Sequence, residues 1–185
     1  VSLGAGADVV VNNGTIDGNV DLGAGDDAFH QILEAETTGV VDGGDGIDLL
    51  NVTVSAEEAV IGGAVSQFIN FEQFAKSGRG SYEIITEMTI ADVQVDDGLL
   101  KVNSTVTAPI TVNRSGTLGG SGVIRGNVFV SGGLNAGNSP GVLTINGDLT
   151  LDMGSLFTVE YNAEAFDQVV VTGTALLEDG GLELV

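Results

Sequence analysis

Apolar and polar residues alternate along this chain in short bursts, and glycine or asparagine punctuates almost every burst. Val123 stands beside Ile124, Val128 is matched with Val130, Leu143 with Ile145 and Leu149 with Leu151. From Thr89 onward the alternation is cleaner, through Ile90, Val93, Val95, Leu99, Val102 and Val106 to Ile110 and Val112. Such spacing predicts brief strands whose alternate side chains enter one core while Gly and Asn turn the corners. A chain that turns so often cannot hold long helices. Pro109 suits only a position where a ladder hydrogen bond is dispensable, so it opens a strand or lies at a corner. Phe129, between the inward-looking Val128 and Val130, is expected on an outer face. Asn162–Phe166 is expected as a loop between strands.

Three Gly-Xaa-Gly-Xaa-Asp motifs occur early, at Gly4–Asp8, Gly23–Asp27 and Gly44–Asp48, with spacings of nineteen and twenty-one residues. A period near twenty marks a solenoid, in which each turn buries its face against the last. At that period the three motifs lie one above another along a single edge. In the middle of the chain Phe68, Phe71 and Phe74 recur at three-residue spacing, which alone suggests a helical turn. Gly78, Gly80 and the β-prone Tyr82, Ile84 and Ile85 follow directly, so β-structure is the better reading. One irregular stretch is expected near Ala56–Ala64, where Ala-Glu-Glu-Ala can form a turn of helix. The fold expected is an all-β, right-handed parallel β-helix of roughly nine rungs. At about 4.8 Å per rung it forms a rod of about 40–45 Å.

Composition narrows the core. Apolar residues make up 43% of the chain but aromatic residues only 5%, and Trp is absent, which fits a narrow interior of Val, Leu, Ile and Ala. Glycine reaches 29 of 185 residues against only 2 prolines, a balance that indicates tight turns rather than a linker. The formal charge of −21, from 26 acidic and 5 basic residues, argues against nucleic acid and anionic lipid as partners. It leaves calcium or a basic partner open. The absence of Cys removes disulfides, thiol catalysis and Cys-based zinc sites. No apolar run is long enough for a membrane span, and no signal-peptide pattern is present. Val1 starts inside a repeat and Val185 ends inside a strand-like run, so the chain reads as an excised fragment, and any signal peptide would lie outside it.

The stretch Thr117–Leu151 resembles the passenger-associated transport repeat of bacterial type V autotransporters. The matching elements are Leu118-Gly119-Gly120, Gly126-Asn127-Val128, the Gly137-Asn138-Ser139-Pro140-Gly141 turn, and Leu143-Thr144-Ile145-Asn146-Gly147. Position 136 is Ala where that family often has Pro, which softens the turn. Asn70-Phe71-Glu72 with Lys76-Ser77-Gly78-Arg79-Gly80 is similar to the autotransporter-associated strand repeat, and Asp167–Thr174 resembles the later part of the same region. The resemblance divides the chain into N-terminal rungs with Gly-Asp turns (1–69) and a C-terminal passenger region (70–185). It implies a stalk and folding template for a secreted or surface-displayed passenger, part of an adhesin or host-interaction protein. Its partners would be its own outer-membrane β-barrel and a host-cell or matrix ligand, with no membrane insertion by this segment. Its location would be the bacterial surface or beyond, and scarce Cys suits such export.

The Asp loops are the leading site candidate. Gly43–Leu49 satisfies the calcium-binding RTX nonapeptide pattern and Gly23–Phe29 most of it. Gly frees backbone carbonyls, Asp supplies hard carboxylate oxygens, and the next apolar residue anchors the turn. RTX arrays repeat every nine residues on both edges, whereas this chain lacks the second copy. Two readings therefore stand: calcium held by Asp27 and Asp48 with help from Asp26 and Asp45, or structural turns with solvated Asp. No other cofactor is called for. His30, the only histidine, is expected on the outer face without a partner nucleophile. The pairs Asp26-Asp27, Glu57-Glu58 and Asp96-Asp97 are adjacent in sequence, so on strands their members face opposite sides. Arg79, Arg114 and Arg125 lie far along the chain from the Asp loops, which disfavours a lyase. A non-enzymatic stalk is the first reading, a calcium-dependent RTX-like binding module the second, and a β-helix polysaccharide-active enzyme the third.

Overall fold

The computed structural model describes residues 1–32, 35–55, 60–63, 67–137 and 140–184. The chain winds as a solenoid of eight full turns and part of a ninth, without an α-helix among the described residues. The first turn carries β1 (Val9–Asn12), β2 (Thr15–Ile16) and β3 (Val20–Asp21), and the second β4 (Ala28–Ile32), β5 (Glu36–Thr37) and β6 (Val41–Asp42). The third carries β7 (Leu49–Thr53), β8 (Val60–Gly63) and β9 (Phe68–Ile69), and the fourth β10 (Gln73–Ser77), β11 (Ser81–Ile84) and β12 (Met88–Thr89). The long β13 (Asp92–Val102) and β15 (Ile110–Gly120) each cover two faces, followed by β14 (Thr105–Thr107) and β16 (Val123–Ile124). The seventh turn holds β17 (Val128–Val130), β18 (Gly133–Ala136) and β19 (Val142–Ile145). The eighth holds β20 (Leu149–Leu151), β21 (Leu156–Val159) and β22 (Gln168–Val171), and the chain closes with β23 (Ala175–Leu177) and β24 (Gly181–Leu184).

Every ladder between named strands is parallel. The first face runs unbroken through β1, β4, β7, β10, β13, β15, β17, β20 and β23. Register keeps like with like: Phe29 lies beside Leu50, Leu50 beside Phe74, Phe74 beside Val93, Val93 beside Ile110, Ile110 beside Val128, and Val128 beside Leu149. All seven are 4% exposed or less, so one column of buried side chains runs from the second turn to the eighth. Similar columns rise from Tyr82 through Leu100, Leu118 and Leu134, and from Val106 through Ile124 to Ile145. Stacking of equivalent apolar residues joins the turns into one continuous core along the solenoid.

The third face is interrupted. Its ladder runs β3–β6–β9 and, separately, β12–β14–β16–β19–β22. A hollow of about 270 Å³ lined by Phe68, Ile69, Phe71, Met88 and Ile90 marks the gap. Asn70, with φ of 54°, turns the chain there. Phe68 and Phe71 are therefore not a helical face. They pack edge to face, 6.5 Å apart, against the core at the gap.

One sequence expectation changes. The run of alternating residues through Leu99 does not hold one phase. Val93 and Val95 point inward, but the register of β13 on β15 shifts between Val95 and Asp97, after which Leu100 and Val102 are the buried residues. The extra residue lies in β15, which takes three steps from Val112 to Ser115 against two from Val95 to Asp97; β13 is one residue short across its corner at Gly98, with φ of 67°, so its inward phase changes there and Leu99 turns outward. The turn of helix expected for Ala56-Glu57-Glu58-Ala59 lies outside the described residues; Val60–Gly63, later in the same stretch, is a strand. The other local readings hold. Pro109 immediately precedes β15, Phe129 is 43% exposed, and Asn162–Phe166 lies between β21 and β22.

Candidate functional site

The three Gly-Asp turns stack along one edge where the third face passes into the first. Ala5 bridges to Ala24 and Ala24 to Asp45, which sets the motifs in register. The glycines are required by crowding as much as by backbone shape. Gly44 has φ of 99°, and a Cβ there would lie 1.9 Å from the carbonyl oxygen of Gly23. No L side chain fits in that position.

The closing Asp of each motif turns inward. Asp27 is 2% exposed and Asp48 is fully buried, whereas Asp26 and Asp45 stay exposed. The reading of these loops as solvated Asp is therefore corrected for Asp27 and Asp48. Each carboxylate reaches the backbone of the turn before it: the Asp8 N–H donates to Asp27 Oδ1 at 2.7 Å, and the Asp27 N–H to Asp48 Oδ1 at 2.7 Å. The Asp48 N–H donates in turn to Glu72 Oε2 at 2.9 Å. Thus four acidic residues form one hydrogen-bonded column. Their second oxygens are less provided for, since Oδ2 of Asp8, Asp27 and Asp48 is buried without a hydrogen-bond partner. Burial is the main force raising the Asp48 pKa, the Asp27 amide opposes it, and the charges of Asp27, Glu72 and Asp26 add to the rise. Asp26 is otherwise engaged, accepting from the Ile47 N–H at 3.0 Å.

Two further buried polar groups escaped the sequence reading. At the first corner Asn12 donates to Gln31 Oε1 and Thr37 Oγ1, so the N-terminal turns carry a polar network inside the rod. Lys76, on the inner side of β10, is fully buried. Its ammonium donates to the carbonyls of Gly78, Gly80 and Asp97, which uses all three of its protons. Desolvation lowers its pKa from 10.5 to about 8, against the opposing pull of the Asp97 charge. The β-alternation of Gln73–Ser77 is the one signal that could have found it, because Phe74 and Lys76 share a face.

The remaining candidates do not converge. His30 sits on the outer side of β4 beside Val11 and Asn51, between the buried Phe29 and Gln31. The adjacent pair Asp26-Asp27 splits between surface and interior as expected of neighbours in an extended chain. Glu57-Glu58 lies outside the described residues. A groove of about 350 Å³ on the second face sets Lys101, Asn135 and Glu160 around a floor of Gly119, Gly120 and Gly137. No helix is long and apolar enough to cross a membrane among the described residues.

No family model matches the chain and no solved structure matches it. Over 111 residues, 59% of its length, it is 27% identical to an extracellular serine protease of Serratia marcescens. That alignment covers 11% of the protease, so the chain spans only a small part of the curated relative it resembles. The findings join a parallel β-solenoid to a partial likeness with an extracellular protein.

Proposed function

We propose that the chain is the structural stalk and folding-template region of an autotransporter passenger, displayed on or released from the bacterial surface. The supporting observation is an asymmetry in the core. Among the described residues the C-terminal part buries three polar side chains, Lys76 at its start and Ser155 and Asp167 near its end, with only apolar ones buried between Lys76 and Ser155, whereas the shorter stretch before it buries Asn12, Asp27, Gln31, Thr37 and Asp48. Apolar columns of stacked Val, Ile and Leu can collapse unaided, while buried polar residues gain only once their partners are placed. The C-terminal part therefore forms the platform, and β10 offers its edge to β7 and the turns before it. The gap in the third-face ladder falls at this junction, beside Asn70, where the resemblance to the autotransporter-associated strand repeat begins.

In this reading the chain contributes shape and folding rather than catalysis, and any protease activity would belong to other parts of a larger protein. Its own outer-membrane barrel and a host-cell or matrix ligand are the proposed partners. Pulse-labelled hydrogen exchange during refolding of the full chain tests the template. Amides of β13, β15, β17 and β20 should gain protection before those of β1, β4 and β7. Simultaneous protection, or an N-terminal lead, would refute it.

A further inference from the structure

The loop between β21 and β22 is not a slack connection. Tyr161 bridges antiparallel to Phe166, which makes a short hairpin. Its tip is capped, since Asn162 Oδ1 accepts from the Glu164 and Ala165 amides at 2.9 Å each. Its base is clamped by Asp167, 3% exposed, whose Oδ1 accepts from the Gly141 N–H at 2.8 Å and Oδ2 from the Glu160 N–H at 3.0 Å. Both carboxylate oxygens are spent on holding backbone in place. The rings nevertheless stay in water: Tyr161 is 63% and Phe166 56% exposed. Among the chain's seven Phe and two Tyr, Phe129 is the one other exposed ring. Aromatic side chains fixed in solvent suit recognition, because covering them removes apolar area at little entropic cost.

The same clamp holds Glu160, which lines the second-face groove of about 350 Å³, a volume within the usual range of small-ligand sites. Register fixes the rest. Lys101 lies beside Gly119 and Gly119 beside Asn135, so the two side chains flank a bare glycine, about 10 Å apart along the rod. The floor stays bare because a Cβ on Gly119 would lie 2.6 Å from the Asn135 carbonyl oxygen. Leu99 adds an apolar wall. Among the described residues the Lys101 ammonium, the Asn135 amide and the Glu160 carboxylate have neither a hydrogen-bond nor an ion-pair partner. One of these groups only donates, one only accepts and one does both, a set that matches a row of hydroxyls. Their charges cancel, so the groove itself favours neither an anion nor a cation, and the net charge of −21 repels acidic polymers. We propose that the groove and the hairpin together bind a neutral oligosaccharide, with its hydroxyls on Lys101, Asn135 and Glu160 and an apolar sugar face against the hairpin rings. Glu160 is the one carboxylate among the described lining residues, and glycoside hydrolysis needs two, so binding without cleavage is expected. The inference gives a chemistry to the ligand of the stalk reading but rests on the groove and hairpin alone, and the order of refolding does not bear on it.

The test is an NMR titration of the isotope-labelled full chain with maltotetraose, cellotetraose and mannotetraose, and with heparin and chitosan tetrasaccharides as charged comparisons. At least one neutral sugar should shift amides of residues 99–101, 117–120, 133–137 and 156–167, and both charged sugars should bind more weakly. The double variant Tyr161→Ala with Phe166→Ala, and the double variant Lys101→Met with Asn135→Ala, should each weaken binding about 10-fold or more. Phe129→Ala removes an exposed ring from the first face and should change nothing. Absence of shifts with every neutral sugar at about 10 mM, enough to saturate a site with a Kd of about 1 mM, would overturn the proposal. Tighter binding of either charged sugar would overturn it too, because simple charge would then explain the attraction. So would a folded double variant that binds as well as the wild type. Should a variant not fold, the wild-type shifts decide: those centred on the groove and hairpin support the site, and those centred elsewhere refute it.

Discussion

Replacing Lys76 with Met keeps the unbranched stem and removes only the charge, which isolates the cost of burying an ammonium inside this rod. Two terms oppose each other at pH 7. The variant leaves the Gly78 and Asp97 carbonyls without the Lys76 donor, while Gly80 retains the Leu99 amide at 3.2 Å; each loss costs about 1–3 kcal/mol. Against this, the fall in pKa from 10.5 to about 8 corresponds to ~3 kcal/mol of penalty on the charged form, which the variant escapes. The terms nearly cancel, so the pH slope rather than the midpoint is diagnostic. With a folded pKa below the unfolded one, the unfolded chain holds more protons between about 8 and 10.5, and stability rises with pH across that window. Below about 8 the penalty is present in full. The wild type should therefore gain about 2 kcal/mol from pH 7 to 9.5 beyond whatever the Lys76→Met variant gains. Tyr82 does not interfere, as burial pushes its pKa up to about 12. Urea unfolding followed by circular dichroism at both pH values measures the difference. Parallel pH dependence in the two proteins would show that Lys76 is not buried as a charge.

The corner of β13 at Gly98 makes Leu100→Ala costly, at about 2–5 kcal/mol, and Leu99→Ala nearly neutral, and denaturant midpoints of the two variants would show whether the phase flips between Val95 and Leu100. Stacking of the Gly turns predicts a similar contrast. Gly4 and Gly44 share a left-handed backbone, with φ of 102° and 99°, but a Cβ at Gly4 meets nothing within 4 Å while one at Gly44 strikes the Gly23 carbonyl. Gly4→Ala should cost about 1–2 kcal/mol of backbone strain alone and Gly44→Ala clearly more, as thermal melts would resolve.

The solenoid was legible in the sequence because its determinants are local and periodic. The Gly-Xaa-Gly-Xaa-Asp motifs at nineteen and twenty-one residues specify turns that must stack, and alternation around Val128–Val130 and Leu143–Ile145 assigns the inward side without reference to any other turn. The outward Phe129, the corner at Pro109 and the alignment of the three Asp turns follow from the same logic. What only the tertiary structure decided concerns contacts between turns. The inward swing of Asp27 and Asp48 depends on an amide in the preceding turn, which no single motif contains. The burial of Lys76 depends on the Asp97 carbonyl, contributed by the following turn. The phase flip before Leu100 depends on a corner of β13 that spans five residues from Val95 to Leu100, against six from Lys76 to Tyr82 below and six from Val112 to Leu118 above. Periodicity describes one turn at a time, whereas the desolvation of a charge, and hence whether an acid or a lysine becomes a structural or a binding group, is settled by its neighbours above and below.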